Sequence, residues 1–190
     1  MILITGLGNP GNKFKSTRHN IGFEIIDSIH THYKFPIFRS KFDGLYSKKN
    51  IFGENIVIFK PQTFMNLSGQ PIKIIRQYFK LDKLKDLIVI HDDIDMDFLK
   101  IRIKTGGGHG GHNGVRDIIK YNGKDFYRVK FGIKNEIFIK KKLKTENFVL
   151  DSFIKKEIEK IEIMKHFINK NFHYLVKKEF SSFKNMIINN

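Results

Sequence analysis

His19 stands in the run Thr17-Arg18-His19-Asn20, immediately ahead of an amphipathic stretch, and Asp92 closes the apolar run Leu87-Ile-Val-Ile-His91. An imidazole exchanges a proton near neutral pH, which makes His19 a candidate general base. A histidine just before a helix can equally be a surface or capping residue, and the residue types alone leave both readings open. Asp92 occupies the end of a strand-like run, the place where α/β sheets present functional side chains.

Other runs suggest sharper chemistry and fail on context. Gly6-Leu7-Gly8-Asn9-Pro10-Gly11 spells G-x-G-x-x-G after a strand-like start. A dinucleotide site needs the third glycine inside a helix whose N-terminus faces the pyrophosphate. Here Pro10 marks a turn and residues 12–19 carry no helical period, so the nucleotide reading is disfavoured. Asp93-Ile-Asp95-Met-Asp97 imitates a calcium loop, but Phe98 and Lys104 stand where the glycine and the closing glutamate belong. A polar turn between two strands is predicted instead. Gly106–Gly114 holds six glycines with His109, His112 and Asn113. Such a run suits a backbone with positive φ or one that approaches a ligand closely, with a flexible tip as the alternative. It contains no carboxylate, so a metal cage at its histidines is not expected. Phe64-Met65-Asn66-Leu67-Ser68-Gly69 lacks the glycine pattern of a nucleophile elbow, and Ser68 is predicted to cap the next helix.

These residues need elements to hold them. Strands are predicted at Ile2–Leu7, Gly44–Lys49, Asn55–Lys60, Leu87–His91, Leu99–Lys104 and Phe126–Ile133, each rich in Ile, Val, Phe or Tyr. Helices are predicted at Ile21–Tyr33, Gly69–Phe79, Val115–Tyr121, Lys155–Asn169 and Tyr174–Ile188, with Asn20 capping the first and Glu24 at its positive end. The interleaving predicts an α/β fold: one domain over residues 1–190, helices flanking a central sheet, and a helical C-terminal extension. The chain has 190 residues, of which 41% are hydrophobic and 28% charged, enough for one core. It contains no cysteine, which excludes disulfides and thiolate chemistry and fits a reducing cytosol. Neither a signal peptide nor a membrane span is predicted. The net charge of +16 suits a nucleic-acid partner. The absence of Ala and the abundance of Lys, Ile, Phe and Asn also fit A+T-rich coding, so charge alone leaves both explanations standing.

Five motifs together resemble the bacterial peptidyl-tRNA hydrolases: Gly6–Gly11, Thr17–Asn20, Thr63–Gly69, His91–Asp95 and Gly106–Gly114, in that family's order and spacing. The resemblance implies a three-layer sandwich with a mixed sheet. It also implies a cytoplasmic, monomeric enzyme that hydrolyses the ester of N-blocked aminoacyl-tRNA and rescues tRNA after premature release from the ribosome. No cofactor or metal is implied; the partner is the acceptor stem and 3′ end of peptidyl-tRNA. By the same resemblance His19 is the general base, Asp92 its orienter, and Asn9 a catalytic amide that distinguishes an acylated α-nitrogen. Phe14, Phe64, Asn66 and Asn113 would contact substrate, and Lys104 and Lys130 would grip the tRNA 5′-phosphate. Residues 147–150 and the following helix resemble the family's mobile cover.

Two departures stand out. Phe14 replaces a frequent Tyr, and Lys134-Asn135-Glu136 replaces a usual Gly-x-Pro, which leaves that loop's path open. Two rival classes remain: a catalytically inactive RNA-binding module, since some relatives serve as splicing cofactors, and, more weakly, a nucleotide-dependent oxidoreductase.

Overall fold

The computed structural model describes residues 1–188, so residues 189 and 190 of the expected domain lie outside it. Its seven strands are β1 (Ile2–Gly6), β2 (Arg39–Lys41), β3 (Gly44–Ile51), β4 (Glu54–Pro61), β5 (Leu87–Asp97), β6 (Ile101–Thr105) and β7 (Tyr127–Lys134). They form one sheet in the order β2-β3-β4-β1-β5-β7-β6. The inner strands β4, β1, β5 and β7 run parallel, and β2, β3 and β6 are antiparallel additions at the edges. All of β1 is buried, and β5 is buried from Leu87 to Asp93. This is why these strands read as unbroken apolar runs: each is covered on both faces.

Alternate side chains point to opposite faces. Ile2 and Ile4 join α1 (Ile21–His32), α6 (Lys155–Lys170), α7 (Phe172–Val176) and α8 (Phe180–Ile188) in one core. Leu3 joins α2 (Gly69–Tyr78) and α3 (Asn113–Asn122) in the other. Helix, sheet and helix make three layers around a mixed sheet, as expected. The helices that follow β1 and β4 cover opposite faces, which opens a crevice at the C-terminal ends of the central strands.

The opening glycines serve this packing. A Cβ on Gly6 would lie 2.1 Å from the carbonyl oxygen of Gly22 in α1, so only glycine lets the first turn of α1 sit on the end of β1. That contact sets the 3-10 turn Arg18–Asn20, and with it His19, over the sheet.

Several expectations need correction. The predicted polar turn at 93–97 is strand: β5 continues to Asp97, pairing with Lys134 across an irregular register, and the chain turns at 98–100 with Leu99 at φ 68°. The carboxylates there are not loop residues but a polar strand end beyond the core. The helix expected at Tyr174–Ile188 is two, α7 and α8, separated at 177–179, where Lys178 has φ 60°. The short elements β2, α4 (Glu136–Lys141) and α5 (Thr145–Leu150) were not anticipated. Asn20 makes no side-chain cap for α1 because its amide is engaged with Asn9. Ser68 donates to the Met65 carbonyl, and the carboxylate of Asp117 accepts the first N–H of α2 in its place.

Candidate active site

Asp92 is the hub. Its carboxylate, at the buried end of β5, accepts from His19 Nδ1 at 2.8 and 2.9 Å and from His112 Nε2 at 2.9 Å. His19 comes from the 3-10 turn ahead of α1 and His112 from the end of the glycine-rich loop, so three separate elements converge. The protonation pattern follows from these partners. A carboxylate can only accept, so His19 carries its hydrogen on Nδ1 and keeps a lone pair on Nε2. His112 Nδ1 accepts the backbone N–H of Val115, 3.3 Å away, so His112 is neutral with its hydrogen on Nε2. His91 completes a histidine cluster: its ring centroid lies 4.7 Å from that of His112, and its Nδ1 donates to the Asp92 carbonyl at 2.6 Å.

The electrostatics follow from burial and charge. Burial alone would push His19 down, but the adjacent Asp92 charge and hydrogen bond outweigh it and hold its pKa above the usual value. Burial pushes the Asp92 carboxyl up, yet the hydrogen bonds from the two histidines, and the attraction to either imidazole when it is protonated, hold it far below the carboxylate range. His91 is driven well down, first of all by burial, so it stays neutral with Nε2 unpartnered.

His19 Nε2 has no protein hydrogen-bond partner among the described residues, and His19 lines a cavity of about 760 Å³. The same cavity is bordered by Asp92, Asn113, Lys104, Lys130 and residues of α5. Asn9 lies in a neighbouring cavity with Asn20 and Phe23. It is tied to the histidine turn all the same: Asn20 accepts from the Asn9 N–H at 2.8 Å and donates to its carbonyl at 2.9 Å. The Asn9 side-chain oxygen accepts the Met65 N–H at 2.8 Å, which leaves its amide NH₂ as the free donor. Phe14 and Phe64 meet edge to face at 6.4 Å. Phe64 is exposed, and Asn66 sits exposed on the turn Met65–Leu67; no side-chain contact joins Asn66 to the histidines.

Lys104 on β6 and Lys130 on β7 project from one sheet face, together with Arg102 and Arg128, because Arg102 pairs with Lys130 and Lys104 with Arg128. Lys130 is already in an ion pair with Asp93. Arg128 is buried and donates to the carbonyls of Gly107 and Gly108 at 2.9 and 2.6 Å. The glycine-rich run is therefore anchored rather than a loose tip, with Gly106, Gly107, Gly110 and Gly111 at positive φ. Sequence reasoning considered His112 only as a metal ligand and missed both its place on Asp92 and the Arg128 anchor. A histidine three residues before the predicted helix was the available signal for the first.

The sequence matches the family described as peptidyl-tRNA hydrolase over residues 3–190. It is 40% identical over 187 residues to a peptidyl-tRNA hydrolase of Methylocella silvestris, covering 98% of this chain and 93% of the relative. A protein of the same name from Fusobacterium nucleatum is 50% identical over 133 residues, 70% of each chain. The fold resembles the crystal structure of peptidyl-tRNA hydrolase from Acinetobacter baumannii with a TM-score of 0.86 and 31% identity, over 98% of this chain and 94% of that one.

Proposed function

The chain belongs to the peptidyl-tRNA hydrolase family and hydrolyses peptidyl-tRNA, and we propose that it does so by general-base activation of water at His19. The observation that carries this reading is the hydrogen bond from His19 Nδ1 to Asp92, which fixes the lone pair on Nε2 where His19 borders the cavity. Nε2 takes a proton from water as the water oxygen attacks the ester carbonyl carbon. Asp92 offsets the charge on the imidazolium, and an asparagine N–H donates to the developing oxyanion. When the tetrahedral intermediate collapses, the proton passes from Nε2 to the departing ribose oxygen. The nucleophile is water, so no acyl-enzyme forms.

The amide of Asn9, held by Met65 and Asn20, donates its NH₂ to the carbonyl oxygen of the N-acyl group, an acceptor that a free ammonium lacks. Asn66 and Asn113 hold the peptide and water, and Phe14 and Phe64 offer ring surface to the substrate. No metal is needed. His19, Asp92 and His112 bring ligand atoms within 4.8 Å of one another, but the nitrogens facing the carboxylate are the ones that carry hydrogen. We place the enzyme in the cytoplasm as a monomer acting on the acceptor stem and 3′ end. No helix among the described residues is long and apolar enough to cross a membrane.

Lys104 and Lys130 meet the tRNA 5′-phosphate in this reading. Lys130 is partly neutralised by Asp93, so Lys104 carries more of the grip. Lys104→Ala is expected to raise KM and to flatten the slope of log KM against log salt by about one. An unchanged slope removes Lys104 from the phosphate contact.

The test of function is paired turnover of N-acetyl-aminoacyl-tRNA and unblocked aminoacyl-tRNA. Release of tRNA from the blocked substrate alone supports the reading. Tight RNA binding with no turnover points instead to a binding module, and a bound nicotinamide or flavin to an oxidoreductase.

A further inference from the structure

Arg18, the residue before the base, has no part in the chemistry above, yet it is among the most enclosed charges in the molecule. Only 4% of its side chain and 7% of that of Glu157 are exposed. Arg18 Nη1 donates to the carbonyls of Asp151 and Ser152 at 3.0 and 2.9 Å, and Nη2 donates to Glu157 Oε2 at 2.9 Å. Its guanidinium lies 4.2 Å from the centre of the Phe148 ring in α5. The backbones are paired as well: Arg18 N–H donates to the Asp151 carbonyl and Phe153 N–H to that of Ser16.

Glu157 extends the network. Oε2 also accepts the Ile154 N–H at the start of α6, and Oε1 accepts from Asn135 Nδ2 at 2.6 Å. Asn135 in turn caps α4 by accepting the Phe138 N–H at 2.9 Å. Asn135 lies in the segment that departs from the Gly-x-Pro pattern. Here that segment is a cap and a ligand of the buried carboxylate.

A buried ion pair costs several kcal/mol to desolvate, and apolar residues of similar volume often serve stability as well. Arg18 and Glu157 therefore call for a reason in geometry. Arg18 offers a rigid fork that serves two carbonyls from one nitrogen and a carboxylate from the other, where a lysine has a single nitrogen. On one side of that fork is the turn carrying His19. On the other is α5, whose Thr145, Glu146 and Val149 wall the cavity.

We propose that Arg18 is a positioning residue: through Glu157 it locks the His19 turn and the α4–α5 wall into one body, so that His19 Nδ1 stays on Asp92. The proposal rests on His19 being the base.

The test uses the full chain with Arg18→Lys and Glu157→Gln, each assayed well below its own melting temperature. Expected are a kcat lower by about tenfold, from a misplaced base, with KM within about twofold. The substrate-free protein gives a second reading: the far-downfield Nδ1 proton resonance of His19, assigned by its loss in His19→Ala, broadens or disappears in both variants. A merely structural ion pair lowers the melting temperature and leaves that resonance in place. If the resonance persists in the folded variants, the proposal is overturned whatever the rates. Should Arg18→Lys fail to fold, Glu157→Gln alone decides. If the variants lose the resonance while wild type turns over no N-acetyl-aminoacyl-tRNA, positioning stands and the functional reading falls.

Discussion

Replacing His19 with alanine is expected to lower kcat on N-acetyl-aminoacyl-tRNA by roughly 10²–10⁴-fold, the usual contribution of a positioned proton acceptor. KM should stay within about twofold, because the cationic face around Lys104 and the amides proposed to hold the peptide remain in place. Residual turnover should survive from positioning and oxyanion donation. The substitution also leaves Asp92 with His112 as its remaining side-chain donor, and a buried acceptor deprived of a partner costs about 1–3 kcal/mol. The assay must therefore run below the lowered melting temperature, so that lost rate is not mistaken for lost fold. Steady-state kinetics beside a thermal melt make the separation. A kcat within threefold of wild type would remove His19 from the chemistry.

Much of the geometry that makes this prediction possible was legible in the sequence, and the reasons are physical. The strands β1 and β5 announce themselves because both of their faces are covered, and the helices α1 and α2 because one face of each is. Asp92 could be placed at a strand end by the same apolar run. The failures cluster where local chemistry was overridden by distant partners. Asn20 has a capping residue's type and position, but Asn9 takes its amide. Asp93, Asp95 and Asp97 look like turn residues, yet β7 lies alongside and extends the strand through them; Lys134, pairing with Asp97, also donates to the Asp95 carbonyl. Asn135 has a local role as the cap of α4, but its bond to Glu157, 22 residues away, leaves no local signal. The meeting of His19 with Asp92 spans 73 residues. No periodicity reports a contact of that range; the motif resemblance did, and the parallel pairing of β1 with β5 is what brings the two strand ends together.

Asp92→Asn should be as damaging as loss of the base, and by a route that pH can expose. Asparagine keeps the shape of the side chain, but its NH₂ donates where the carboxylate accepted. Paired with His19 Nδ1, it moves the imidazole hydrogen to Nε2, the nitrogen that must take the water proton. His112 donates to Oδ1, which draws the amide oxygen there and puts the NH₂ at the Oδ2 position, 2.9 Å from His19 Nδ1, where it competes with the 2.8 Å contact from that nitrogen to Oδ1. The loss expected is on the order of 10³–10⁴ in kcat, by analogy with an orienting carboxylate in hydrolytic triads. The position of the remaining activity on the pH axis should move too. In the wild type, burial lowers the His19 pKa and Asp92 more than reverses it, so the acid limb of kcat/KM lies above the ordinary histidine value of about 6.5. Without the carboxylate only burial is left, and the limb should shift to below that value. Stability gives an independent check. The depressed pKa of Asp92 contributes stability that is present above its unfolded pKa of about 3.9 and is lost as pH falls through the folded value. The raised pKa of His19 contributes stability that is full below about 6.5 and is lost as pH rises through its folded value. The two overlap between about pH 4 and 6.5, so the gap in unfolding free energy between wild type and Asp92→Asn should be widest there and narrow on either side. Denaturant melts across pH, read beside the rate profile, test both halves. A gap that is flat with pH, or an acid limb that stays in place, would show that Asp92 does not charge-couple to His19.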